Sequence, residues 1–442
     1  MASKPAGHFL QGKRIIVAGG GIAGATFVTA LDQLWDSSLP RPVVTVFERE
    51  KNREASVQQD PYTLTLNGGN QDEGLVALQQ LGLLDKVRSA PSTILNSGVI
   101  RVWSDNWKFL ASLNPEPYGG LPAATMRITR QHLKDILLDR TDKEAAKKIT
   151  VNWRYGCTCT SAERLSSSTS GPLRVIIAER EEDGSDRSWT QDCDLVIVAD
   201  GSNSVLRGSF FRSHDTKLEY TGMTQIGGIS RLPSGLPRPI HEDYGLQMSS
   251  GEGVCCIYTP FDDTTVGWAL SKKGEPRREA KMGYENDPEV FDLLKREALK
   301  TASMFKEPFS MVVEATDPAT AFVRPAMEKN PFRHDIPTAS SPLLGKSGAV
   351  VFIGDASHTL NPYVLDGANL ALKDGWDLAE QMCRNSDSVE AAVAAYDKLS
   401  VPRAQHVMNF SKERIRFGHS TGFTWKVYKY GMAAQRAMAK KD

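Results

Sequence analysis

The sequence predicts an α/β fold: a domain on a parallel sheet, an inserted antiparallel sheet, and a C-terminal helical segment. Three observations predict it. Near the start, Arg14–Ala18 reads as a strand, GGGIAG as a glycine turn opening a helix, and Val43–Phe47 as a second strand ending at Glu48. Far downstream, VVFIGDASHTLNPYVLDGANLALKDGWDLA reads as strand, acidic turn, proline loop and helix. Between them the texture changes, and 215–275 becomes strand-rich with Gly, Pro and Asp turns.

The chain has 442 residues, enough to bury a large core and to form two or three domains. Lys+Arg 53 balances Asp+Glu 53, and no long Lys/Arg run occurs, which argues against a nucleic-acid binder. Cys157, Cys159, Cys193, Cys255, Cys256 and Cys383 show no metal-ligand grouping, so no metal is expected. Lys13-Arg14 followed by IIVAGGGIAGATFVTAL imitates a signal peptide, but its glycines are spaced for a turn. Without another sign of export, reduced thiols and a cytoplasmic location are expected. No uninterrupted apolar run is long enough for a membrane span.

In chain order, residues 1–12 read as a loose tail. In the turn that follows, Gly19-x-Gly21-x-x-Gly24 supplies a tight bend, a close approach to pyrophosphate, and helix–strand packing. Glu48 sits where a carboxylate can hold an adenosine ribose. Pro61–Asn67 alternates like a strand, Gln71–Val87 reads as one amphipathic helix, and Ile100–Leu113 as strand with Trp103, Trp107 and Phe109. Arg130 precedes Leu133, Ile136 and Leu137 at helical spacing, which places its guanidinium at a helix start, either on a phosphate or in solvent. Residues 149–199 read as a β-meander with tips at Ser166–Ser170 and Glu182–Ser185. The buried strand Asp194–Ala199 then runs into Asp200-Gly201, and Arg207 follows as part of a second nucleotide-contacting rim.

Asn286–Phe305 reads as a helix with Pro288 at its start and Val290, Leu293, Leu294 and Ala298 inward. Pro331–Ser347 reads as a loop, and 389–440 as a long helical region interrupted at Pro402. In the downstream stretch that begins VVFIGD, Asp355 sits on the acidic turn, where it can accept from sugar-like hydroxyls. Asp366 or Gly367 is placed to cap the following helix, whose first N–H groups form an anion site.

GGGIAG with Glu48, Arg130-Gln-His-Leu133, Asp200-Gly201 and GDASH…P…GAN together resemble the single-component FAD-dependent aromatic-hydroxylase family. Salicylate-hydroxylase-like and tetracycline-inactivating monooxygenases belong to it. The resemblance covers most of the chain and is weakest in 215–310 and after 400. It implies a Rossmann-type FAD-binding domain (10–80, 122–213 and 315–385), an inserted antiparallel β-sheet substrate domain (81–121 and 214–314), and a C-terminal helical segment (386–442). By the resemblance, Gly19, Gly21 and Gly24 face the FAD pyrophosphate, Glu48 the adenosine ribose, and Arg130 the flavin-nucleotide side, with Ile22, Ala23 and Arg49 also among the cofactor-binding residues. Asp355 would take ribityl or phosphate-proximal oxygens, Pro362 would lie beside the flavin ring, and Gly367 and Ala368 would offer backbone N–H groups to the reduced flavin. Asp200 and Gly201 would serve both FAD and the nicotinamide cofactor.

The activity so implied is reduction of FAD by NAD(P)H and delivery of one atom of O2 to a small molecule, most simply as hydroxylation of an aromatic or polyketide-like compound. Baeyer–Villiger oxidation or epoxidation on the same fold, and a flavin or NAD dehydrogenase, are the alternatives. A halogenase would carry W-x-W-x-I-P, which the sequence lacks. No catalytic base stands out. Gln225, His241, Tyr244 and Gln247 fall in the expected substrate sheet and are candidates for contacting substrate. A monomer or homodimer is expected. Two departures from the family stand out: Leu365-Asp366-Gly367 replaces a glycine-any-glycine, and the middle sheet lacks the glutamine and arginine that grip tetracycline.

Overall fold

Short runs of β-branched residues form the central sheet. Val350–Phe352, Leu195–Val198, Arg14–Ala18, Val43–Glu48 and Thr150–Tyr155 lie side by side in that order, all parallel. The first four of these strands are buried nearly throughout, as expected of a parallel sheet covered on both faces, while the edge strand Thr150–Tyr155 buries only Val151 fully. The computed structural model describes residues 7–58, 63–96, 99–141, 147–165, 171–180, 185–211, 217–241, 244–274, 278–334, 349–363 and 365–438. The tips at 166–170 and 182–184, most of the 331–347 loop and the start of the 61–67 strand lie outside them.

Helix Ile22–Leu34 packs on helix Gly367–Arg384 so closely that a Cβ on Gly375 would stand 2.7 Å from the Ala23 carbonyl oxygen. The expected loose N-terminal tail is tied down where it is described. Leu10 is buried in the first core, His8 Nε2 lies 3.0 Å from the Met382 carbonyl oxygen, and Phe9 N–H donates to the Ser386 carbonyl. The single helix expected over 71–87 is two, Gly74–Gln80 and Leu84–Ser89. Gly82, at φ 68, breaks it.

The second sheet has eight strands, ordered Lys281–Met282, Phe322–Glu328, Glu219–Arg231, Thr265–Lys273, Val254–Pro260, Tyr244–Met248, Ile100–Ser104 and Phe109–Leu113. All its pairings are antiparallel except Tyr244–Met248 with Ile100–Ser104. The stretch expected as strand over 100–113 is thus a hairpin, turning at Asp105–Lys108. Strand Phe322–Glu328 belongs to this sheet, although 315–385 was expected in the nucleotide domain. Leu81, Leu83 and Val87, expected in the substrate unit, join the first core instead.

Helices Pro288–Thr301 and Phe309–Glu314 cover one face of the eight-stranded sheet. Leu294 and Ala298 point inward as expected, but Val290 and Leu293 are exposed, because this short helix presents only a narrow stripe. Two three-stranded sheets complete the fold, one of Thr63–Asn67, Thr125–Thr129 and Ile94–Asn96, the other of Cys157–Arg164, Leu173–Arg180 and Asp186–Cys193. Helix Val389–Gly418 runs continuously through Pro402, and helix Gly422–Met438 follows it. Among the described residues no helix is long and apolar enough to cross a membrane, and no group of His, Cys, Asp or Glu forms a metal-binding cluster.

Candidate active site

The carboxyl ends of the parallel strands open onto a cavity of about 160 Å³. It is lined by Gly19, Gly21, Glu48, Arg49, Arg130, Asp200 and Gly201, all singled out from sequence, together with Lys134, Thr158 and Asn203. This is where open α/β sheets bind their ligands.

Three glycines of the first turn do three separate things. Gly19 has φ 102, and a Cβ there would lie 2.4 Å from the Ala199 carbonyl oxygen, so it makes the bend. A Cβ on Gly24 would lie 2.1 Å from the Gly19 carbonyl oxygen, so it lets the helix close on the turn. Gly21 faces open space, with nothing within 4 Å of an added Cβ. Ile22 and Ala23 begin the helix behind it and do not line the cavity.

Glu48 is buried and paired. Its Oε2 lies 3.5 Å from Lys134 Nζ, and the Lys134 and Glu48 side chains are 1% and 7% exposed. Burial holds the Lys134 ammonium below its usual range, and Glu48 opposes that shift. Lys134 was missed from sequence, although it stands four residues after Arg130 and hence on the same helix face. Arg49 is exposed and lies 3.6 Å from Glu50.

Asp200 Oδ2 accepts from Leu206 N–H at 3.3 Å, while its buried Oδ1 has no hydrogen-bond partner among the described residues. Burial raises its pKa above the usual carboxylate range. Arg207, expected on a nucleotide rim, is instead buried as a staple. Its Nη1 donates to the Ala356 carbonyl at 2.8 Å and its Nη2 to the Ser202 carbonyl at 2.9 Å, which ties the two polar turns together.

Asp355, Pro362, Gly367 and Ala368 stand beyond this cavity. Asp355 lies in the single turn Gly354–Ala356, with its pKa raised by burial and opposed by His358 and by the Arg130 and Arg207 guanidiniums. The sequence reading missed the ion network beneath that turn. Asp374 Oδ2 lies 2.6 Å from His358 Nε2 and accepts from Gly354 N–H at 2.9 Å. Arg403 donates to Asp374 at 3.0 Å and to Asp377 at 2.6 Å. No local signal announces these pairs, which join two helices.

Asp366 precedes helix Gly367–Arg384 but does not cap it through its side chain, contrary to expectation. Its backbone is at φ −102 and ψ −1, so the carboxylate turns away from the first N–H groups. Asp366 Oδ1 instead accepts from the amides of Asn67 at 2.5 Å and Asn369 at 3.2 Å. Leu365, where the family's glycine is lost, keeps the left-handed conformation at φ 58.

The four residues expected in the substrate sheet are not brought together. His241 sits exposed in the turn before Tyr244–Met248, outside the sheet. Gln247 is structural: its Oε1 accepts from Tyr258 Oη at 2.7 Å and its Nε2 donates to the Asp105 carbonyl at 3.1 Å, on the face covered by helices. Gln225 is opposite Ser271, and Ser271 opposite Cys255, so these three share the other face, where strand alternation also puts Tyr244. There His419 Nε2 lies 2.8 Å from Ser271 Oγ and 3.3 Å from Cys255 Sγ, and Tyr363, next to Pro362, packs edge-on against the imidazole. That face therefore looks toward the proline loop.

No protein-family model matches the chain. Among curated proteins, monooxygenase cfoF of Aspergillus candidus is 36% identical over 415 residues, covering 94% of this chain and 93% of that protein. The 3-amino-4-hydroxybenzoate 2-monooxygenase PtnB3 of Streptomyces platensis is 25% identical over 406 residues, 91% of this chain and 87% of that protein. Among solved structures, Klebsiella pneumoniae HpxO complexed with FAD and uric acid superposes with a TM-score of 0.69 at 18% identity, over 96% of this chain and 94% of that one. A salicylate hydroxylase substrate complex does so at 0.68 and 15%, over 98% and 96%. These two likenesses show the fold. Together with the near full-length relative they establish that this chain belongs to the FAD-dependent monooxygenases of the aromatic-hydroxylase type.

Proposed function

We propose that this monooxygenase hydroxylates a small aromatic or polyketide-like substrate with NAD(P)H and O2. One observation carries the reading: the cavity at the strand ends gathers the glycine turn, Glu48, Arg130 and Asp200 in one place. The residues fit FAD. Gly21 leaves room for a pyrophosphate that any side chain would fill, and Asp200 Oδ1 is a buried acceptor awaiting a donor. When bound, FAD takes a hydride from NAD(P)H and activates O2.

The chain's own residues bind, orient and exclude water. Gly19, Gly21 and Gly24 with Ile22 and Ala23 form the pyrophosphate turn. Glu48, steadied by Lys134, and Arg49 meet the adenosine end. Arg130 and Asp355 would meet the middle of the cofactor, Asp200 and Gly201 would line its rim, and Pro362, Gly367 and Ala368 would border the ring. The substrate chamber lies between the sheet face bearing Gln225 and Tyr244 and the loop at Pro362, and its closure keeps water from the reacting atoms. We further infer that the nucleotide-binding unit comprises 10–89, 122–213 and 349–385, that the substrate unit comprises 99–121 and 217–334, and that the C-terminal helices bridge the two.

Purified protein should be yellow, release FAD on denaturation, and oxidise NAD(P)H faster when the right aromatic compound is added, with less peroxide formed. NAD(P)H oxidation that ignores every member of a broad panel and yields stoichiometric peroxide would overturn the reading in favour of an oxidase.

A further inference from the structure

Helix Gly422–Met438 has two apolar faces where its packing needs one. Trp425, Tyr428 and Met432 face the protein, packing with Val102, Leu110 and Met248. On the other side Phe423 is 81% exposed, Val427 52% and Tyr430 73%. At about 100° per residue these three and exposed Ala434 fall within a narrow arc opposite the packed face. Exposed Lys426 and Lys429 run along its flank, and the sequence GFTWKVYKYGMAAQRAM contains no acidic residue. The chain as a whole is charge-balanced, with Lys+Arg 53 against Asp+Glu 53, so this helix is a local basic excess.

We propose that helix Gly422–Met438 docks the enzyme onto an anionic lipid surface. Aromatic and aliphatic side chains on the outward stripe enter the headgroup–acyl boundary, while Lys426 and Lys429 reach anionic headgroups. The helix lies on the surface and does not span it. Charge decides between lipid and a second copy of this chain. Antiparallel two-fold pairing along the stripe would set the lysine flank of one copy beside that of the other, with no acid in the helix to neutralise it. An anionic bilayer complements both the apolar stripe and its flank.

The test is sedimentation of the FAD-loaded full chain with phosphatidylcholine vesicles, with and without phosphatidylserine. Each lysine near the surface strengthens attachment by about fivefold, so binding should rise by on the order of tenfold or more with phosphatidylserine and fall at high salt. The double substitution F423D and Y430D should abolish it while leaving flavin content and melting temperature unchanged, because both side chains are exposed. Should that variant misfold, K426E with K429E keeps the stripe and should remove the phosphatidylserine dependence. Wild-type protein that stays in solution with both vesicle types overturns the proposal. So does an F423D/Y430D protein that sediments like wild type, or a dimer in gel filtration that the double substitution turns into monomer.

Discussion

At the scale of single residues, the glycine turn separates folding from binding. Gly21 has φ −70 and ψ −172, a conformation open to any residue, and its Cβ would meet nothing. Gly24 has no such freedom, since a Cβ there would press on the Gly19 carbonyl oxygen at 2.1 Å. Gly21→Val should therefore fold with near-normal stability but be purified with little flavin, whereas Gly24→Ala should lose stability first. Flavin absorbance per mole of protein and the melting curve of the flavin-free form measure the two effects separately. Full FAD occupancy in Gly21→Val would show that the pyrophosphate lies elsewhere. Leu365 shows the reverse case, a side chain kept in a backbone conformation suited to glycine, at φ 58. A non-glycine residue there costs on the order of 1 kcal/mol, and such strain collects at functional sites.

At the scale of elements, the acidic turn is held from below by helix–helix ion pairs. Asp374 is fully buried, and Arg403 reaches both it and Asp377 from the next helix. His358 and Arg403 hold the Asp374 carboxyl down at about 2 despite its burial. Replacing Arg403 with Met would leave Asp374 and Asp377 without their shared cation, a loss of roughly 3–5 kcal/mol. Denaturant unfolding of Arg403→Met should show that loss, and a change under 1 kcal/mol would mean the network is dispensable. Arg403→Lys should recover only part of it, because an ammonium lacks the two-pronged geometry. Such pairs were not legible in the sequence, since Arg403 and Asp374 meet only through packing of separate helices. The strand–glycine turn–helix–strand–acid unit was legible because each of its contacts is local. The hairpin over 100–113 was not, since its turn at Asp105–Lys108 lacks glycine and proline. Gln225 and Gln247 looked alike on paper, but the register sends them to opposite faces.

At the scale of the whole molecule, the C-terminal helices are fastened to the substrate sheet at a titratable point. His419 ends helix Val389–Gly418; its Nδ1 lies 2.8 Å from the Ile415 carbonyl oxygen, and its Nε2 lies against Ser271 and Cys255. That geometry suits a neutral ring with Nδ1–H donating and Nε2 accepting. Burial pushes the His419 pKa down to about 4, below the roughly 6.5 of an ordinary histidine. The unfolded chain binds a proton below about 6.5 that the folded chain refuses until about 4, so this contribution is complete above 6.5 and lost as pH falls. The slope is about 1.4 kcal/mol per pH unit. Asp374 does not act in that window, since its stabilisation is lost only as pH falls from the ordinary carboxylate range toward about 2. His358 acts with the opposite sign, because its pKa is raised: its contribution is present below 6.5 and lost as pH rises through the folded value. Comparing wild type with His419→Gln cancels both. The stability advantage of wild type over the variant should shrink by about 2 kcal/mol between pH 7 and pH 5. Unfolding in urea at both pH values checks this, and an advantage that does not change with pH would show that His419 is protonated as freely in the folded chain as in the unfolded one.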